Sequence, residues 1–145
     1  MQYRGVLLFL REDKMLETGI KGKMVITVDE GMTAKAQGSG RLMVYATPAM
    51  LALMEETAYR SVEDYLEEGQ GTVGTKVSIS HVSATPTGMK VTCESELVEI
   101  DRKRLVFSVK AFDERGLIGE GVHERFVIDN DKFLRRTQEK LEKEI

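Results

Sequence analysis

The chain has 145 residues, 41% apolar and 31% charged, which suits one soluble domain with a single buried core. Its 24 acidic and 21 basic side chains leave a net charge of -3, which argues against nucleic acid as the main partner, because phosphate binding needs a basic surface. The single cysteine, Cys93, excludes an internal disulfide and a CxxC metal site and fits a reducing cytoplasm; with only His81 and His123, a histidine-rich metal centre is disfavoured too.

In chain order, Gly5 to Leu10 is apolar but too short to span a membrane. Met15 offers an alternative start, which would make residues 1–14 an extension to a domain over 15–145. Ile20 to Val28 reads as a strand with Met24, Ile26 and Val28 on one face. Glu30 to Arg41, with three glycines and several small residues, reads as a loop or flap. Thr47-Pro48 then opens a helix, threonine suiting the cap and proline the first turn. The helix is predicted over Pro48 to about Leu66, its buried stripe formed by Met50, Leu51, Met54, Thr57, Ala58, Ser61, Val62 and Tyr65. Four strands follow, Thr72–Val82, Met89–Ile100, Leu105–Asp113 and Leu117–Ile128, with short links that predict consecutive antiparallel neighbours. A charged helix with a thin apolar face closes the chain from Asn130. One α+β unit results, an antiparallel sheet around one long helix, and its open edges predict a homodimer.

Several residues could carry chemistry. Glu55 lies about 100° from the centre of the apolar stripe, at its margin. It is either a snorkelling edge residue or a carboxylate held in a partly dry site, and alone the pattern favours the first. Strand alternation puts Val73, Thr75, Val77, Ile79 and His81 on one face. If that face packs on the helix, His81 approaches Glu55 and suits acid–base work; a lone histidine at a strand end is more commonly structural. Thr47 is explained by capping, yet a helix N-terminus also stabilises negative charge on a carbonyl oxygen. The stretch Gly69 to Thr75 has no P-loop lysine, so its glycines read as room for a ligand beside the backbone. Arg125 is either a surface ion-pair residue, the reading its position favours, or a ligand contact.

Ala46-Thr47-Pro48 is followed by Leu53-Met54-Glu55, Tyr65-Leu66-Glu67 and the Gly69–Gly74 stretch. Gly74-Thr75 leads to His81 and Ala84-Thr85-Pro86, then Gly119 and His123-Glu124-Arg125. In this order and spacing the chain resembles the fluoroacetyl-coenzyme A thioesterase family of hot-dog proteins, over about Ile20 to Phe133. The resemblance implies a hot-dog dimer with active sites at the subunit interface and no metal. It implies that Thr47, Glu55 and His81 form the catalytic set, with Gly74 and Arg125 near the thioester. It departs from the fluoroacetyl-specific pattern at the lid, since Gly31 to Arg41 holds no aromatic residue, so the fluorinated substrate is not implied.

The expected activity is hydrolysis of a small or medium acyl-CoA, with coenzyme A as part of the substrate and no separate cofactor. Thr47, Glu55 and water all remain open as the nucleophile. A non-catalytic acyl-CoA binding module is the alternative. A hot-dog hydratase is disfavoured because the helix start offers no histidine, and a purely structural dimer is the blandest reading. The expected partners are acyl-CoA and a second copy, or a higher homo-oligomer, with neither nucleic acid nor membrane.

Overall fold

The computed structural model describes residues 15–142. The apolar run Gly5 to Leu10 and the reading of residues 1–14 as an extension lie outside it. The first strand, β1 (Lys21–Thr27), turns Met24 and Ile26 inward and lysines outward. It pairs antiparallel with β3 (Lys90–Asp101), placing Lys21 opposite Glu96 and Lys23 opposite Glu94, so opposite charges face each other across the strands.

The predicted flap carries structure of its own. A 3₁₀ turn at Glu30–Met32 leads into a one-turn helix, α1 (Ala34–Gln37), capped by the Thr33 hydroxyl and ended by Gly38 at φ 73°. The long helix α2 (Thr47–Val62) follows, and its last predicted turn tightens into a 3₁₀ turn at Glu63–Tyr65. Met50, Leu53, Met54, Thr57, Ala58 and Val62 are its buried residues. Leu53 was absent from the predicted stripe, whereas Leu51 is only half-buried.

The strands β2 (Gln70–His81), β4 (Arg104–Asp113) and β5 (Gly116–Asp129) complete a sheet of order β1-β3-β4-β5-β2. All pairings are antiparallel, but β2 does not neighbour β3 as predicted. Only the two tight links, past Arg102 at φ 57° and Gly116 at φ 140°, join adjacent strands. The chain from Val82 to Met89 instead crosses to the far side, tied down by Val82 N–H to Ile118 and Gly88 N–H to Val28. The sheet wraps α2, and the core gathers Met50, Met54 and Val62 with Val91, Leu97, Leu105, Phe107 and Val109. The charged helix α3 (Asn130–Glu142) follows β5 with no buried residue. No helix among the described residues is long and apolar enough to cross a membrane.

Candidate active site

The start of α2 differs from the prediction in one decisive detail. Ala46 is the N-cap and makes no side-chain cap; Thr47 is the first helical residue and Pro48 the second. The Thr47 hydroxyl is therefore free of capping duty. It lies 2.7 Å from Nδ1 of His81, at the end of β2. The Tyr45 ring meets the imidazole edge-on at 6.5 Å between centroids. Both residues line a cavity of about 290 Å³ with Ala34, Val44, Ser83 and Tyr45. Burial pushes the His81 pKa below its usual value of 6.5, which keeps the ring neutral at pH 7. Its other nitrogen, Nε2, is shut off from solvent and makes no hydrogen bond among the described residues.

A second cluster forms further along the helix. A β-bulge between Gly74 and Lys76 leaves Thr75 out of the pairing register with β5. The bulge corrects the predicted alternation. Thr72 and Gly74 face the helix before it, paired with Val127 and Arg125; Val77, Ile79 and His81 face the helix after it, paired with His123, Gly121 and Gly119. Val73, assigned to the His81 face, lies opposite the exposed Phe126 instead. Gly74 thus sits below α2, where an added Cβ would come within 2.8 Å of Glu55 Oε2 and 3.3 Å of Arg125 Nη1. Arg125 is not the surface residue its position favoured. It is 7% exposed, stands 3.8 Å from Glu55, and donates through Nε and Nη2 to the Thr72 hydroxyl and carbonyl at 2.7 and 2.9 Å.

The expected approach of His81 to Glu55 does not occur within one chain. Thr47 and Glu55 are eight residues apart on α2, roughly 12 Å along its axis. His81 joins the first and Gly74 the second. The sequence-predicted residues therefore fall into two groups, Thr47 with His81 and Glu55 with Gly74 and Arg125. Among the described residues no three His, Cys, Asp or Glu side chains converge as metal ligands would.

Residues 28–131 match the fluoroacetyl-CoA-specific thioesterase family, FlK. The fluoroacetyl-CoA thioesterase of Streptantibioticus cattleyicolor is 41% identical over 97 residues, covering 67% of this chain and 70% of that protein. The chain belongs to this family. A solved structure of the fluoroacetyl-CoA thioesterase FlK superposes with a TM-score of 0.82 at 33% identity, over 86% of this chain and 97% of that one. A mutant of FlK in complex with fluoroacetate and CoA superposes at 0.77 and 34% identity, over 81% and 99%. The hot-dog thioesterase fold inferred from the sequence is thus the fold observed.

Two members of the second cluster escaped sequence reasoning in this FlK-family chain. His123 was noted only in weighing a metal centre and as a neighbour of Arg125, and Thr72 only as a strand start. Both are polar residues on the inner face of the sheet, but the bulge that brings Thr72 to that face leaves no mark in the alternation. A signal existed for His123, since it shares its face with the buried Val127.

Proposed function

We propose that this chain hydrolyses a small or medium acyl-CoA to free acid and coenzyme A, in the cytoplasm, at a reaction centre completed between two copies. The observation that carries this is the 2.7 Å contact between the Thr47 hydroxyl and Nδ1 of His81 at a helix N-terminus. A neutral imidazole there can take the hydroxyl proton as the oxygen attacks a thioester carbonyl. The first-turn N–H groups of α2 have no intrahelical acceptor, and those of Thr47 and Ala49 suit the oxyanion, Pro48 having none. The leaving thiolate has a parent pKa of about 8.5 and needs little help from an acid. The imidazolium gives its proton to the departing thiolate and is neutral again. It then takes a proton from the water that attacks the acyl group and returns it to the Thr47 oxygen as the free acid leaves. These steps draw on the chain's own side chains and backbone N–H groups and call for no metal or separate cofactor.

Two features argue for a second copy. Nδ1 accepts from Thr47, so Nε2 carries the ring's one proton and makes no hydrogen bond among the described residues. Among the described residues β2 is an edge strand with one side unpaired. Two copies related by a two-fold axis pair their β2 strands antiparallel. With that axis at Ser78, Val77 of one copy lies opposite Ile79 of the other and His81 opposite the Gly74–Thr75 bulge, where Nε2 meets the carboxylate of Glu55. Gly74 and Arg125 then flank the thioester. The CoA-bound relative supports coenzyme A as the leaving portion. The fluoroacetyl group is not carried over, because Gly31 to Arg41 lacks an aromatic side chain.

The test is free-thiol release across short, long, branched and aryl acyl-CoAs. His81→Ala is expected to lower kcat/KM about 10²–10⁴-fold on every accepted substrate. A variant within a few-fold of wild type refutes the assignment, and a wild type that binds the panel without turnover is a binding module instead.

A further inference from the structure

We infer that His123 is a positioning residue of this site, a one-tautomer strut that holds the Arg125 guanidinium against Glu55. The inference rests on the reading that Glu55 belongs to the reaction centre. His123 is 1% exposed, and its Nδ1 lies 2.9 Å from the carbonyl of Lys76, the first paired residue after the bulge. A carbonyl can only accept, so Nδ1 carries the proton and donates it. Nε2 is then a lone pair, and it accepts from Nη1 of Arg125 at 3.1 Å.

Arg125 is consequently fixed from two sides. Thr72 takes Nε and Nη2, and His123 takes Nη1, the nitrogen that also faces Glu55 at 3.8 Å. Tyr59 lies 5.5 Å from the guanidinium carbon and Phe107 backs the imidazole at 6.4 Å between centroids. Few side chains donate at one end and accept at the other over this span; an imidazolium would turn a second N–H toward a cation. Arg125 and Glu124 on β5, Glu55 and Tyr59 on α2, and Lys76 on β2 are the titratable groups around the ring. Burial, with Arg125 beside it, keeps the ring neutral at pH 7, its pKa below the usual range. Gly74 leaves the space that these groups share, since its missing Cβ would lie 3.2 Å from the ring carbon Cε1 of His123.

The test compares two amides that both fit the strand. In His123→Gln the amide oxygen reaches the place of Nε2 and can accept from Arg125. In His123→Asn the amide reaches only the Lys76 carbonyl. The Gln variant is expected to keep kcat near wild type, and the Asn variant to lose about 10²-fold in kcat with KM little changed, since a displaced Arg125 misaligns Glu55. In a Glu55→Gln background the Asn substitution is expected to cost nothing further. In wild type, ¹⁵N spectra are expected to show a neutral His123 protonated at Nδ1. Equal kcat for the Asn and Gln variants below their melting temperatures, an undiminished cost in the Glu55→Gln background, or an Nε2-protonated ring overturns the inference while the site stands. Full activity of Glu55→Gln refutes the site reading itself, and the role of His123 with it.

Discussion

At the residue scale, the protonation of the two histidines connects site and stability. Burial is the main cause that lowers the pKa of both His81 and His123 below 6.5. Below that pH the unfolded chain binds protons that the folded chain still refuses. Stability conferred by the neutral rings is therefore complete above about pH 6.5 and is lost as the pH falls through the lower folded values. Cys93 works in the opposite direction. Burial pushes its thiol from 9.0 up to about 11, so above pH 9.0 the unfolded chain sheds a proton that the folded chain keeps, and stability falls as the pH rises. Melting temperature followed by circular dichroism is expected to form a plateau between these limits. In the same buffers kcat/KM is expected to fall on the acid side with a midpoint below 6.5, because protonated His81 cannot accept from Thr47. An acid midpoint above 6.5 contradicts the environment described for His81.

At the scale of elements, the site depends on how closely strands approach α2. Gly22 of β1 runs so near the helix that an added Cβ would lie 2.8 Å from the Thr57 carbonyl and 2.7 Å from the Ser95 hydroxyl. The carbonyl belongs to a helix backbone and cannot yield by a side-chain rotation. Gly22→Ala is therefore expected to lower the unfolding free energy by about 1–3 kcal/mol, measured as a shifted urea midpoint with unchanged slope. An unaltered midpoint would mean that β1 stands further from α2. The bulge in β2 is the other structural device of this kind. It turns Gly74 toward Glu55 and still lets His81 reach Thr47 on the same side of the sheet. A strand of unbroken alternation would send one of these two residues to the outer face.

At the scale of the whole molecule, the two halves of the proposed centre can be separated by mixing. Thr47→Ala and Glu55→Gln are each expected to lose about 10²–10⁴-fold in activity alone, leaving a remainder that is small but measurable. Once their subunits have exchanged, half the dimers are mixed and each holds one complete site, so about a quarter of wild-type activity is expected to return. No recovery after demonstrated exchange, checked by mass spectrometry, would place Glu55 and Thr47 in a single-chain site or none.

Much of this fold was legible in the chain. The helix from Pro48, the four strands after it and their turns all follow from local periodicity and from glycine and proline punctuation, which are properties of neighbouring residues. Thr47, Glu55, His81, Gly74 and Arg125 were also singled out from the sequence, chiefly through resemblance. What only the tertiary structure decided is which of them meet. Hydrophobic alternation fixes a face but carries no count across a bulge, so the side on which Gly74 and Thr72 lie was not readable. Sheet order depends on where a crossing segment docks, and that placed β2 at an open edge beside β5. The grouping of Thr47 with His81, and of Glu55 with Arg125 and His123, arises from contacts between residues far apart in the chain, where packing has the final say.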